Sequence, residues 1–142
     1  MRHLVAGAGL DGTVVIDSAG TGSWHLGSPP DARSTAAARR RGIVLEGAAR
    51  QVTRADFARY DLLVAMDASN QRDLLRLAPD EAARAKVVAL REFDPLAVRD
   101  GELDVPDPYY GGEHGFEHVL DVVERACRGL LDDVRAKLGE IA

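Results

Sequence analysis

Leu62-Leu63-Val64-Ala65-Met66-Asp67-Ala68-Ser69-Asn70 is the stretch from which the rest of the chain is best read. Five apolar residues run without polar alternation, which describes a short strand covered on both faces. Asp67 or Ser69 then offers an N-cap for a helix ending near Leu77. A second apolar run, Val87-Val88-Ala89-Leu90, repeats the strand pattern downstream. Upstream, Thr13-Val14-Val15-Ile16-Asp17 is β-branched and bounded by turn residues, and it predicts a further strand. Helical stretches lie between the strands. Residues 31–41 read as a helix ended by Gly42, and Thr53 with Asp56 resembles a capping box at the head of a short helix through Tyr60. Pro79 and Asp80 open another short helix. Residues 1–8 read as a helix stopped by Gly9, with no Ser, Thr, Asp or Asn to cap its start. The last helix is the clearest: Phe116, Val119, Leu120, Val123, Ala126, Cys127, Leu130, Leu131, Val134 and Leu138 lie on one stripe. Strands alternating with helices predict an α/β fold, a doubly wound parallel sheet flanked by helices.

Composition narrows the class. A chain of 142 residues is expected to form a single domain, and 46% hydrophobic with 29% charged content is that of an ordinary globular protein. A net charge of -5 argues against nucleic acid as a partner. The longest apolar runs are four or five residues, too short to span a membrane, and no basic-then-apolar leader opens the sequence. A lone Cys127 forms no intrachain disulfide, and no Cys/His cluster has the spacing of a metal site. The expected location is cytoplasmic.

Doubly wound sheets receive ligands at the carboxyl ends of their strands. That points to residues 18–30, 67–70 and 91–115, the last read as one long loop. Within it, Asp104-Val105-Pro106-Asp107-Pro108-Tyr109-Tyr110-Gly111-Gly112 places Asp107 between two prolines. Each proline fixes its own φ and restrains the residue before it. A carboxyl on a stiffened backbone beside two aromatic rings suits a general acid. Asp and Pro are also ordinary turn formers, and a Tyr pair can simply cover a core. In the first loop, Ser18-Ala19-Gly20-Thr21-Gly22-Ser23-Trp24 combines glycines with hydroxyls, able either to cradle an anion or to serve as a loop with Trp24 in a groove. Arg39-Arg40-Arg41 reads as a solvated helix end, and His3, His25, His114 and His118 show no paired spacing. Cys127, on the apolar stripe, reads as an inert core thiol.

Four stretches carry a resemblance. Asp17-Ser18-Ala19-Gly20-Thr21-Gly22, Gly27-Ser28-Pro29-Pro30-Asp31-Ala32-Arg33, Met66-Asp67-Ala68-Ser69-Asn70, and the segment from Asp104 to Gly112 occur in this order. Together they closely resemble low-molecular-weight protein tyrosine phosphatases of the bacterial type, over residues 1 to about 135. The resemblance implies hydrolysis of a phosphotyrosine protein or aryl phosphate through a cysteinyl-phosphate intermediate. It implies Asp107 as the catalytic acid, Trp24, Tyr109 and Tyr110 as substrate-binding residues of the aromatic cleft, and no metal or organic cofactor.

The pattern also departs from that family. Family members open with a central strand leading into a loop of Cys, five residues, Arg and Ser. No Cys in these 142 residues has an Arg six positions on; the residue six after Cys127 is Asp133. The resemblance therefore implies that the first, central strand and the nucleophile loop are missing, with Met1 inside the first helix. A sheet without its central strand leaves unpaired groups costing ~1–3 kcal/mol each against a total stability of ~5–15 kcal/mol, so these residues alone are expected to be unstable. The leading expectation is a tyrosine phosphatase with a late start codon, inactive as it stands. A pseudophosphatase binding module is the second. An arsenate reductase of the same fold is the least favoured, because its redox relay needs more cysteines.

Overall fold

In this computed structural model, which describes residues 1–22, 26–45, 47–106 and 112–139, Leu63–Ala65 (β1) and Val87–Ala89 (β2) pair in parallel. The register sets Leu63 against Val87, Val64 against Val88 and Ala65 against Ala89. Parallel pairing needs a crossover, and Ala68–Leu77 (α4) with Glu81–Arg84 (α5) lies within it. The result is an α/β fold built on a parallel sheet, as the apolar runs require.

The chain divides into two compact units, Ser18–Ala89 and the pair Met1–Asp17 with Leu90–Ala142. In the first, β1 and β2 stand with Ala32–Arg40 (α2), Ala55–Arg59 (α3), α4 and α5. Its core is Phe57, Leu63, Ala65, Leu74 and Ala83, with Val52, Leu77, Ala78 and Val87 against it. The helix starts are read correctly from sequence because their caps are local. Asp31 accepts from the Ser34 N–H, Asp67 from Asn70 at 2.8 Å and Asp80 from Ala83 at 2.8 Å. At the end of α3 the Lys86 ammonium donates to the carbonyls of Phe57 (2.6 Å) and Tyr60 (3.2 Å), which the helix leaves without partners.

The other unit holds Arg2–Gly7 (α1), a 3-10 turn at Leu90–Phe93, Pro95–Asp100 (α6) and Gly112–Lys137 (α7). No side chain caps the start of α1. Its end is a Schellman motif: Gly9 takes φ +74°, its N–H reaches the Ala6 carbonyl, and the Leu10 N–H reaches Val5. Leu10 folds back on Val5, and both bury against Leu131 of α7. The apolar stripe of α7 is buried at Phe116, Ala126, Cys127, Leu130 and Leu131, and Val122, off that stripe, is also buried, at 1% exposure. At Gly129 a Cβ would stand 1.9 Å from the Phe93 carbonyl oxygen, so only glycine lets α7 approach the 3-10 turn this closely.

Two expectations are corrected here. Residues 13–17 form no strand. Val14 and Ile16 pack against the α1 cluster while Val15 is 76% exposed, so the in–out alternation is present. The ladder is not: the Thr13 and Val14 N–H groups turn back to the Leu10 carbonyl, and the Ile16 carbonyl accepts from the Arg2 guanidinium. β-branched residues favour a pleated surface only where a neighbouring strand supplies one, and none runs there among the described residues. Residues 91–115 are likewise not one loop. Asp94 caps α6 through the Leu96 N–H, Pro95 sits in its first turn, and α7 begins at Gly112. Asp before Pro is a sequence signal for a helix start. No helix among the described residues is long and apolar enough to cross a membrane.

Candidate active site

The loop after Asp17 is stitched to a distant segment. Gly20 and Gln51 form an isolated parallel bridge, with Gly20 N–H to Arg50 O at 2.9 Å and Val52 N–H to Gly20 O at 2.9 Å. Further along, the Gly27 N–H reaches Ala49 O and the Ala49 N–H reaches Ser28 O, each at 2.7 Å. The Gln51 amide adds a bond to the Thr21 carbonyl at 3.3 Å. The loop is thus anchored on both sides of Ser23, Trp24 and His25, which lie outside the described residues. Sequence reasoning missed the role of residues 49–52, since Ala-Arg-Gln-Val carries no pattern naming its partner.

Arg50 is itself held. Its two terminal nitrogens each reach one oxygen of Asp56 at 3.1 Å, and the Thr53 N–H donates to the same carboxylate at 2.8 Å. The hydrogen bonds from Arg50, against the opposing pull of burial and aided by Thr53, hold the Asp56 carboxyl below its ordinary range. The backbone that clamps Gly20 is therefore tied by a bidentate pair whose carboxylate is buried and whose guanidinium is partly exposed.

In the other unit, residues 101–106 run past Arg91. The Arg91 Nη1 donates to the Asp104 carbonyl at 2.7 Å. A cavity of about 460 Å³ opens here, lined by Arg91, residues 101–104, Pro106 and His118. In the same unit, Asp94 is 1% exposed and accepts from Arg125 Nε at 2.6 Å. Burial pushes the Asp94 carboxyl up, but Arg125 and the Leu96 and Ala97 N–H groups outweigh it and leave it below its ordinary range. Asp107, Tyr109 and Tyr110 lie outside the described residues, as does Pro108 between them.

Other candidates resolve plainly. The Met66–Asn70 stretch turns β1 into α4, with Asp67 spent as its cap. Cys127 is buried, and burial pushes its thiol up, away from the thiolate a nucleophile needs. Arg39 and Arg40 close the last turn of α2 and are exposed. Among the described residues no group of three His, Cys, Asp or Glu is arranged to hold a metal ion.

Comparison with known proteins gives the frame. The family described as low molecular weight phosphotyrosine protein phosphatase matches residues 1–140. A low molecular weight protein-tyrosine-phosphatase of Streptomyces coelicolor is 52% identical over 137 residues, covering 96% of this chain and 83% of that protein. The human low molecular weight phosphotyrosine protein phosphatase is 37% identical over 132 residues, covering 92% and 81%. Among solved structures, a protein tyrosine phosphatase from Entamoeba histolytica superposes with a TM-score of 0.86 at 33% identity, covering 99% of this chain and 86% of that one. An α/β chain with a parallel sheet and this run of matches belongs to one class. The chain is a member of the low-molecular-weight phosphotyrosine protein phosphatase family.

Proposed function

We propose that this chain carries the substrate cleft and the general acid of a protein tyrosine phosphatase, acting on a phosphotyrosine protein or aryl phosphate. The observation that carries the reading is the Asp107-Pro108-Tyr109-Tyr110 sequence inside a family match running over residues 1–140. The length of that match also supports treating the chain as one phosphatase-like domain, of doubly wound type. Trp24, Tyr109 and Tyr110 line the cleft for the ring. A cytoplasmic location goes with the reading.

The reaction runs in two steps. A thiolate attacks phosphorus, the bond from phosphorus to the phenolic oxygen breaks, and the Asp107 carboxyl gives that oxygen its proton. Water then attacks the cysteinyl phosphate, the Asp107 carboxylate takes a proton from it, and phosphate leaves with the thiolate restored. The balance needs no metal and no organic cofactor. Cys127 does not supply the sulfur, since it is buried with its thiol pushed up and has Asp133 where an Arg would follow. Turnover therefore requires a Cys-x5-Arg loop that these 142 residues do not contain, and by themselves they are expected to be inactive. The intact mass of the native protein, compared with 15.3 kDa, tests whether a longer chain carries such a loop.

The activity test uses a chain extended upstream to include the cysteine loop, with aryl phosphates as substrates. Asp107→Ala is expected to lower kcat/KM by ~10²–10³-fold when the leaving phenol is a weak acid. An unchanged rate would remove Asp107 from the acid role.

A further inference from the structure

Among the described residues, Arg91 is an arginine buried without a carboxylate partner. It is 6% exposed, whereas Arg50 and Arg125, each set against an aspartate, keep side chains 36% and 46% exposed. Its described hydrogen bond runs to a backbone carbonyl, that of Asp104 at 2.7 Å, and its Nε is buried with no hydrogen-bond partner. Burying a guanidinium in this way is costly, and an aliphatic side chain would fill the space without that cost. What the charge does here is grip the Asp104 carbonyl with a short, charge-assisted bond.

That carbonyl lies three residues before Asp107 in the sequence. Pro106 intervenes, fixing its own φ and restricting Val105. Residues 104–106 thus make a stiff arm whose root is held at Arg91, on the wall of the cavity that Pro106 and His118 also line. We propose that Arg91 is a positioning residue for Asp107. By holding the root of the acid-bearing segment it governs proton delivery to the leaving oxygen. The inference rests on the reading of Asp107 as general acid.

The experiment measures kcat/KM across aryl phosphates of graded leaving-group pKa, on the full chain carrying the cysteine loop. Arg91→Met removes every donor while filling the space. It is expected to cost ~10–100-fold for phenyl phosphate and little for a nitrophenyl phosphate, because a displaced acid matters most where the oxygen most needs a proton. Arg91→Lys keeps charge and a donor and is expected to recover part of the loss. In the Asp107→Ala background, Arg91→Met is expected to add no further leaving-group dependence. An equal loss for all substrates, or an additional loss in the Asp107→Ala background, overturns the proposal. If Asp107→Ala alone leaves the dependence flat, the acid assignment itself fails, a result distinct from a flat Arg91→Met with a steep Asp107→Ala. Should Arg91→Met not fold by near-ultraviolet circular dichroism, Arg91→Lys decides: a smaller steepening supports the proposal and a uniform loss overturns it.

Discussion

Asp56 and Asp94 are both buried carboxylates gripped by arginine, one in each unit, and they are built in opposite ways. Asp56 draws all its described partners from nearby in sequence: Arg50 six residues before it and the Thr53 N–H three before it. Asp94 caps its own helix locally, but its charge is balanced by Arg125, 31 residues on, at the far side of α6 and well into α7. A locally closed pair forms whenever its short segment folds. A pair closed over 31 residues forms only when α7 docks. The first is a property of a loop, the second of a tertiary interface.

If that contrast holds, damage to the α7 interface should outweigh damage to the Asp56 loop. The largest effect is expected from Gly129→Ala. In an exposed helix interior this change would stabilise by about 1 kcal/mol. Here the added Cβ meets the Phe93 carbonyl at 1.9 Å, and α7 must draw back from the turn that carries Phe93 and leads into Asp94. We expect a loss of about 3 kcal/mol or more by urea unfolding. A neutral or stabilising result would mean that α7 does not seat against that carbonyl. Next comes Arg125→Met, which strands the Asp94 carboxylate at 1% exposure with only backbone N–H partners. A buried pair broken from one side costs roughly 3–5 kcal/mol, and the remaining Leu96 bond places this case near the lower end. The penalty should shrink as pH falls, because an unpaired buried carboxyl escapes it by taking up a proton. A penalty constant from about pH 7 to 4 would show that Asp94 is not left charged.

The same contrast explains what was legible in the sequence. The starts of α2, α4 and α5 were readable because Asp31, Asp67 and Asp80 each bond an N–H three residues on. β1 and β2 were readable because an apolar run marks a covered strand without naming its neighbour. Residues 13–17 were misread for the reason that separates pattern from pairing: the alternation of Val14, Val15 and Ile16 is real, but no strand supplies the ladder. The anchoring of Gly20 by Arg50 and Val52, and of Asp104 by the Arg91 guanidinium, spans about 30 and 13 residues and ends on backbone groups, which have no sequence signature. Sequence supplied the candidate chemistry, Asp107 between prolines with its tyrosines, and the structure supplied an anchor at Gly20 in one unit and at Asp104 in the other. Asp94-Pro95 is a local signal of the same kind, and it marks the start of α6 within residues 91–115.

A gentler change sharpens the local half of the comparison. Asp56→Asn keeps an acceptor for the Thr53 N–H and the shape of the side chain, but gives up the charge facing Arg50. The Arg50 guanidinium is 36% exposed and within reach of water, so a loss of only about 1–2 kcal/mol is expected. The sensitive readout is local. Amide exchange at Gly20 and Val52 should quicken while that of α7 does not change. Equal quickening in both would show that the Asp56 pair is not confined to its loop.

The smallest effect is the acid limb of the stability curve, and it tests both pairs together. Both carboxyls titrate below the ordinary 3.8, Asp56 chiefly through its Arg50 bonds, Asp94 because its partners outweigh strong burial. Below that value the unfolded chain takes up protons that the folded chain still refuses. Each pair's contribution is therefore complete above the ordinary carboxylate range and is lost as pH falls through the folded-state pKa. Melting temperature should be nearly level from about pH 7 to 5 and decline below about 4. In the Asp56→Asn/Asp94→Asn double variant the chain starts less stable but its acid decline is shallower, since two of the groups that drive it are gone. The Asp94 part of that flattening should also appear in Arg125→Met, where burial pushes the carboxyl up instead of down. An acid limb that keeps its full slope in both variants would assign acid sensitivity to other carboxylates and leave the two buried pairs as packing devices, held by hydrogen bonds more than by charge.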